Sequence, residues 1–356
     1  MRGAGRSAEI VIPNPLGVEG AVMLALLKSK SVSRSNFRHR SSVAASLVEG
    51  AKILEMDRQN RRNGGPRAKA PLWWEFFGFK LIQVLVDPED QSIFGAVYEL
   101  KFSSQSGKPP KQVIAFRGTL IRPESWSQDI KLDRYIVQNT LHNSHRVHDG
   151  LQAVQVAVSK VGAKDVWLAG YSLGSAIALL VGRNMVLKMG HHLETYLFNP
   201  PFVSLPVHII KNEKLRHGLR LAHTVIKAGM AVAMSTVVQN KKIAEDDEAF
   251  TLLFPWIPYL FINPSDPICA EYLDYFKDRE TTVAAGAGEI GRFAARNSVR
   301  SMIMSASGKD SEPSHLIPSA HLTINLNHSP DLMAAHKLSQ WWRPDLELDY
   351  KLYQFR

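Results

Sequence analysis

The chain has a single cysteine, Cys269, among 356 residues. No disulfide can close within it and no cysteine-rich metal site can be assembled, so a core of its own must hold the fold. A lone cysteine also suits a reducing compartment, where such a residue is expected to serve as a small buried hydrophobe. Long apolar runs are missing as well. The run 20–27 is too short to span a bilayer, and 222–238 is interrupted by His223 and Lys227. Each is expected to be a core or surface segment rather than a membrane span. No RRM, KH, zinc-finger or basic-zipper pattern accompanies the basic residues, and no internal repeat occurs. Nucleic-acid binding is therefore not expected.

Hydrophobic residues make up 45% of the chain and charged residues 21%, proportions of a soluble domain with a substantial core. Basic residues number 43 against 33 acidic ones, for a formal charge of +10. Much of the excess lies early, at Arg34, Arg38, Arg40, Arg58, Arg61, Arg62, Arg67 and Lys69. A basic surface of this kind favours anionic lipid, so transient contact with a membrane surface is one expectation. In about the first 40 residues Glu9 and Glu19 are the only acids, among many Arg, Lys and Ser. Two readings stand: a disordered start, or a transit peptide for a plastid or other organelle. The cytoplasm is the first expected location and an organelle the second.

Short apolar runs bounded by turn formers predict buried strands at 112–117, 165–170, 195–199 and 260–263. An earlier pair, 80–86 and 93–102, is split by Asp87-Pro88-Glu89-Asp90 and predicts a hairpin. Helices are expected at 152–161, 173–188 and 286–304, with a further one near 229–234. Strand–helix–strand alternation implies an α/β fold: a mostly parallel central sheet with helices on both faces. The expected organisation is a disordered or targeting segment at 1–41 and a helical and aromatic extension at 42–92. A catalytic domain follows at 93–345, with a helical insertion at 205–258, and then a tail at 346–356.

Gly170-Tyr171-Ser172-Leu173-Gly174 sits between a predicted strand and a predicted helix. That context makes Gly-x-Ser-x-Gly a nucleophile elbow, with Ser172 lifted above the sheet edge at a helix N-terminus. The N–H of Leu173, directly after the nucleophile, is then one expected oxyanion donor.

The residues 169–176, Ala-Gly-Tyr-Ser-Leu-Gly-Ser-Ala, resemble the elbow block of class 3 lipases, the fungal-lipase-like α/β-hydrolases. Ile114-Ala115-Phe116-Arg117-Gly118-Thr119 and Val147-His148-Asp149-Gly150-Leu151 are similar to that family's two upstream blocks, in the same order. Asn263-Pro264-Ser265-Asp266-Pro267-Ile268 resembles its downstream Asn-x-x-Asp-Pro-Val stretch. The Trp73-Trp74-Glu75-Phe76-Phe77 and Phe198-Asn199-Pro200-Pro201-Phe202 segments are similar to a plant subgroup often labelled GDSL esterase/lipase, although no Gly-Asp-Ser-Leu block is present. Two departures from the family stand out: Tyr171 replaces its usual His, and Ser175 its second Gly.

The resemblance implies an α/β-hydrolase fold and hydrolysis of acyl or lipid esters through an acyl-enzyme, with no metal or organic cofactor. Serine needs a base that a carboxylate orients, and in this fold the chain order is Ser, acid, His. Asp266, after the fourth buried strand, is the expected acid, with Asp274 and Asp278 as weaker alternatives. His315, His321, His328 and His336 all follow it. His336 is preferred because Ala334–Trp342 looks like the family's C-terminal His segment, and His148 resembles a structural histidine of the family. By the same resemblance, Thr119 supplies the second oxyanion donor. The stretch 121–132 stands where the family carries a lid, with Trp126 and Ile130 on one helical face. An inactive scaffold of the same fold, or an acyltransferase using the same three residues, stays open as an alternative.

Overall fold

The computed structural model describes residues 37–62, 65–101, 109–120, 144–202, 251–284, 317–343 and 345–354. The lid candidates Trp126 and Ile130, His315, the helix expected at 286–304, the first 36 residues and most of the 205–258 insertion lie outside the described residues.

Eight strands form one sheet whose spatial order follows the chain. They are β1 (Phe79–Val86), β2 (Ile93–Leu100), β3 (Gln112–Phe116), β4 (Val166–Tyr171), β5 (Glu194–Phe198), β6 (Tyr259–Ile262), β7 (Ala320–Asn325) and β8 (Leu348–Tyr353). Strands β3 to β7 are mutually parallel, while β1, β2 and β8 pair antiparallel at the two edges. The helices are α1 (Phe37–Gln59), α2 (Leu72–Glu75), α3 (His145–Val161), α4 (Leu173–Met189), α5 (Glu271–Ala284) and α6 (Leu332–His336), with a 3-10 turn at Leu338–Trp342. This is the α/β-hydrolase arrangement.

Alternation along each central strand divides the core in two. Val166 and Leu168 of β4, Ile114 and Phe116 of β3 and Leu260 and Ile262 of β6 join the cluster under α3, α4 and α5. Their neighbours Trp167, Ala169, Val113, Ala115 and Phe261 join the cluster under α1 and the 3-10 turn. Burial on both faces is why these strands are continuous apolar runs in the sequence. Among the described residues no helix is long and apolar enough to cross a membrane.

The sheet reaches past both boundaries drawn from the sequence. Strand β1 lies within the 42–92 extension, and β8 within the 346–356 tail. Both are edge strands that bury little, with Lys80, Asp349 and Lys351 among their apolar residues. Such a pattern discourages further edge pairing. The extension is also a structural layer, because α1 covers one face of the sheet. Its buried Glu55 accepts the Ile93 N–H at 2.9 Å at the start of β2. Buried Asp57 accepts the N–H groups of Lys69 and Ala70 at 2.8 and 2.9 Å, closing the basic linker back onto the helix.

Glu99 fastens one corner of this frame. Its carboxylate takes Lys80 of β1 at 2.8 Å, Lys160 of α3 at 2.6 Å and the Gln112 amide of β3 at 2.9 Å. Hydrogen bonds from Lys160, Lys80 and Gln112 lower its pKa from the ordinary 4.5 to about 2. A depressed carboxylate contributes stability above its ordinary pKa and loses it as pH falls through the folded value. Glu99→Gln should therefore lower the melting temperature by roughly 2–4 °C at neutral pH, about 1 kcal/mol for two largely exposed ion pairs. Thermal melts should show that gap closing between pH 4.5 and about 2.

Candidate active site

Ser172 lies between the end of β4 and the first turn of α4, with φ 51° and ψ −122°. A non-glycine residue rarely adopts this conformation, and here packing on both sides imposes it. A Cβ at Gly174 would lie 2.2 Å from the Phe116 carbonyl oxygen and 2.5 Å from that of Arg117, so only glycine lets α4 sit on the end of β3. Gly118 makes the matching approach: a Cβ there would come within 3.1 Å of the Ser172 Cβ. The strand-end segment 116–118 is thereby pressed against the nucleophile turn.

Ser172 Oγ stands 3.0 Å from His336 Nε2, and His336 Nδ1 stands 2.8 Å from Asp266 Oδ2. The three residues nominated from the sequence thus form one hydrogen-bonded line. Asp266 is fully buried and His336 nearly so. The Asp266 carboxylate is divided between two duties. Oδ1 accepts the Ile268 N–H at 3.0 Å, closing a local turn before Pro267, while Oδ2 faces the imidazole. One oxygen thus fixes the local turn while the other meets the ring. Cys269 is buried as expected, yet it is more than a filler: its Sγ lies 3.3 Å from Asp266 Oδ2.

The other candidates lie apart. His321 belongs to β7, where burial lowers its pKa. His328 is exposed, and His148 on α3 is exposed and contacts Asp149 at 3.2 Å. Asp274 is exposed on α5, the helix that also carries Asp278.

On the oxyanion side, Leu173 opens α4 immediately after the nucleophile. Thr119 follows a peptide that Arg117 pins. The buried guanidinium donates from Nη1 to the Gly118 carbonyl at 2.7 Å, and from Nε to the Ile93 carbonyl. Because the peptide is planar and trans, the Thr119 N–H points opposite to that carbonyl, away from the guanidinium. Burial lowers the pKa of Arg117 from its high ordinary value.

The sequence reading missed the amides behind this line. Asn199, Asn263 and Asn325 end or directly follow β5, β6 and β7. Gln340, from the 3-10 turn, accepts from Asn263 and Asn325 at 2.7 and 2.8 Å, and donates to the carbonyls of Ala335 and Lys337 at 2.7 and 2.8 Å. Those four bonds use every site a side-chain amide has. They clamp the residues on either side of His336 to the sheet. The available signal was an asparagine closing each of three successive apolar runs.

The same molecule, compared with known proteins, is 40% identical over 337 residues to an Arabidopsis thaliana protein named as a GDSL esterase/lipase, covering 92% of this chain and 95% of that one. The chain belongs to that esterase/lipase family. No family model matches it. Among solved structures it is similar to a lipase from Rhizopus microsporus var. chinensis, with 14% identity and a TM-score of 0.32 over 67% of this chain and 70% of that one. Lipase II from Rhizopus niveus gives 14% identity and a TM-score of 0.33 over 63% and 72%. The chain carries no Gly-Asp-Ser-Leu block, and Ser172 lies in Gly-x-Ser-x-Gly despite the label its relative bears.

In this esterase/lipase the departure at Tyr171 has a structural use. The Tyr171 hydroxyl donates to the His336 carbonyl at 2.7 Å, and the two rings lie 5.1 Å apart. Tyr171→Phe keeps the ring contact and removes the bond. It should cost about 1 kcal/mol and lower the melting temperature by about 2–4 °C. Esterase assays should show a smaller loss than for any substitution of Ser172, His336 or Asp266.

Proposed function

We propose that this esterase/lipase is a serine carboxylic-ester hydrolase acting through an acyl-enzyme on lipid or other acyl esters. The observation that carries this reading is the line Ser172 Oγ–His336 Nε2–Asp266 Oδ2, at 3.0 and 2.8 Å on a strained strand-to-helix turn. In this reading Ser172 Oγ attacks the ester carbonyl as its proton passes to His336 Nε2, and Asp266 steadies the imidazolium. The N–H groups of Leu173 and Thr119 receive the oxyanion, each worth about 3 kcal/mol to the transition state. Collapse breaks the bond to the alcohol, which leaves with the proton from His336. Water then repeats the sequence against acyl-Ser172 and releases the acid. A lid at 121–132 bearing Trp126 and Ile130, and transient docking on anionic lipid, extend the proposal to a lipid surface. The single cysteine supports an intracellular location.

A fluorophosphonate probe should label the wild type at Ser172 and leave Ser172→Ala unlabelled. The same variant should lose on the order of 10⁴-fold or more in kcat toward nitrophenyl esters. Equal labelling of both proteins would show a scaffold rather than an enzyme. A series of nitrophenyl esters of increasing acyl length then separates lipase from esterase, since a maximum at short chains defeats the lipid reading.

A further inference from the structure

The Asn199 side chain touches the acid, the segment bearing the base and the aromatic turn behind them. Its Nδ2 donates to Asp266 Oδ2 at 2.7 Å and to the Ala335 carbonyl, next to His336, at 3.2 Å. Its Oδ1 accepts the indole N–H of Trp341 at 2.7 Å. An indole can only donate and the carboxylate here can only accept, so the amide has one orientation that satisfies both. The residue is fully buried, at the end of β5, with φ 47°. That left-handed backbone is one asparagine tolerates better than most residues. Its own N–H donates to the Phe261 carbonyl of β6 at 2.9 Å, and the Ser172 N–H donates to the Phe198 carbonyl just before it at 2.9 Å. Backbone and side chain together therefore refer the nucleophile, acid and base to a single strand end.

We propose that Asn199 is the positioning residue of this site: its amide holds Asp266 Oδ2 in line with His336 and shares the carboxylate charge that the imidazolium feels. The inference rests on the ester-hydrolase reading above. Among the described residues, Ser172, Cys269 and Tyr171 touch the Asp266–His336 pair, and the Glu49 carboxylate of α1 acts on Tyr171 from behind. The Asn199 amide and the Cys269 thiol both donate to the shared oxygen. With Asn199→Ala, Oδ2 keeps more of its charge for the imidazolium, and the base retains its proton to higher pH. Trp341→Phe keeps the aromatic body against Phe261 but frees the amide to turn.

The test uses the full chain, nitrophenyl butyrate between about pH 5 and 9, and the fluorophosphonate probe, because the acidic limb of kcat/KM reports the essential base. Asn199→Ala should lower kcat by about 10- to 100-fold with KM changed less than about twofold. Its acidic limb should rise by about one pH unit, and that of Trp341→Phe by less. A merely structural role would lower the melting temperature and the fraction of labelled enzyme but leave the limb in place. If Asn199→Ala does not fold, Trp341→Phe decides. A wild type that labels at Ser172, with every folded variant sharing its limb and kcat, overturns the inference alone. A wild type that does not label overturns the hydrolase reading and this inference with it.

Discussion

A carboxylate with no exposed surface lies at the centre of this molecule, and most of the surrounding architecture answers its needs. Removing the Asp266 charge from water is costly unless donors and a counter-charge replace the lost solvent. The replacements are the Ile268 N–H, the Asn199 amide and the His336 ring, with the Cys269 thiol beside them. They come from a turn after β6, the end of β5 and the segment after β7. The charge can be buried only when all three strand ends are in register. Folding of the parallel sheet and assembly of the site are in this sense one event.

Strain at Ser172 is the second consequence of that register. The helix α4 starts where the backbone of β3 ends, with no room for a side chain at Gly174 or Gly118. The same closeness brings the Arg117–Thr119 segment to the nucleophile. Buried Arg117 then fixes the last peptide of that segment through its carbonyl. In the proposed reaction the oxyanion donors would thus come from backbone elements rather than from mobile side chains, which is what transition-state stabilisation requires.

Much of this was legible in the sequence because the central strands are apolar on both faces and the elbow has a fixed grammar. Ser172 and Asp266 follow local signals, a strand-to-helix turn and an aspartate before proline after a buried run, whereas His336 is preferred among four histidines by resemblance to the family's C-terminal segment. The hairpin of β1 and β2 was legible as such, but the edge strand β8 was not. A strand with one exposed face and lysines on it lacks a continuous run, so β8 looked like a tail. The amides were invisible for a different reason. Apart from Gln340's bonds to Ala335 and Lys337, these amides matter through partners 15 to 142 residues away, and hydrogen-bond partners at that separation leave no periodic trace. Only their repeated position, one asparagine closing each successive strand, could have marked them.

Tyr171 gives the clearest case of a family departure that physical chemistry explains. Its hydroxyl ties the base's own carbonyl, and burial, with the Asp266 charge adding to it, raises its pKa well above 10. The tether is consequently a neutral donor at every pH at which a serine hydrolase can work. A histidine in that place, with an ordinary pKa near 6.5, would gain and lose charge over the range in which the catalytic imidazole must act. Charging it so close to His336 would oppose formation of the imidazolium. Tyrosine keeps the aromatic contact and the hydrogen bond while removing that second titration. The substitution therefore fits a proposed site in which a single imidazole carries the proton.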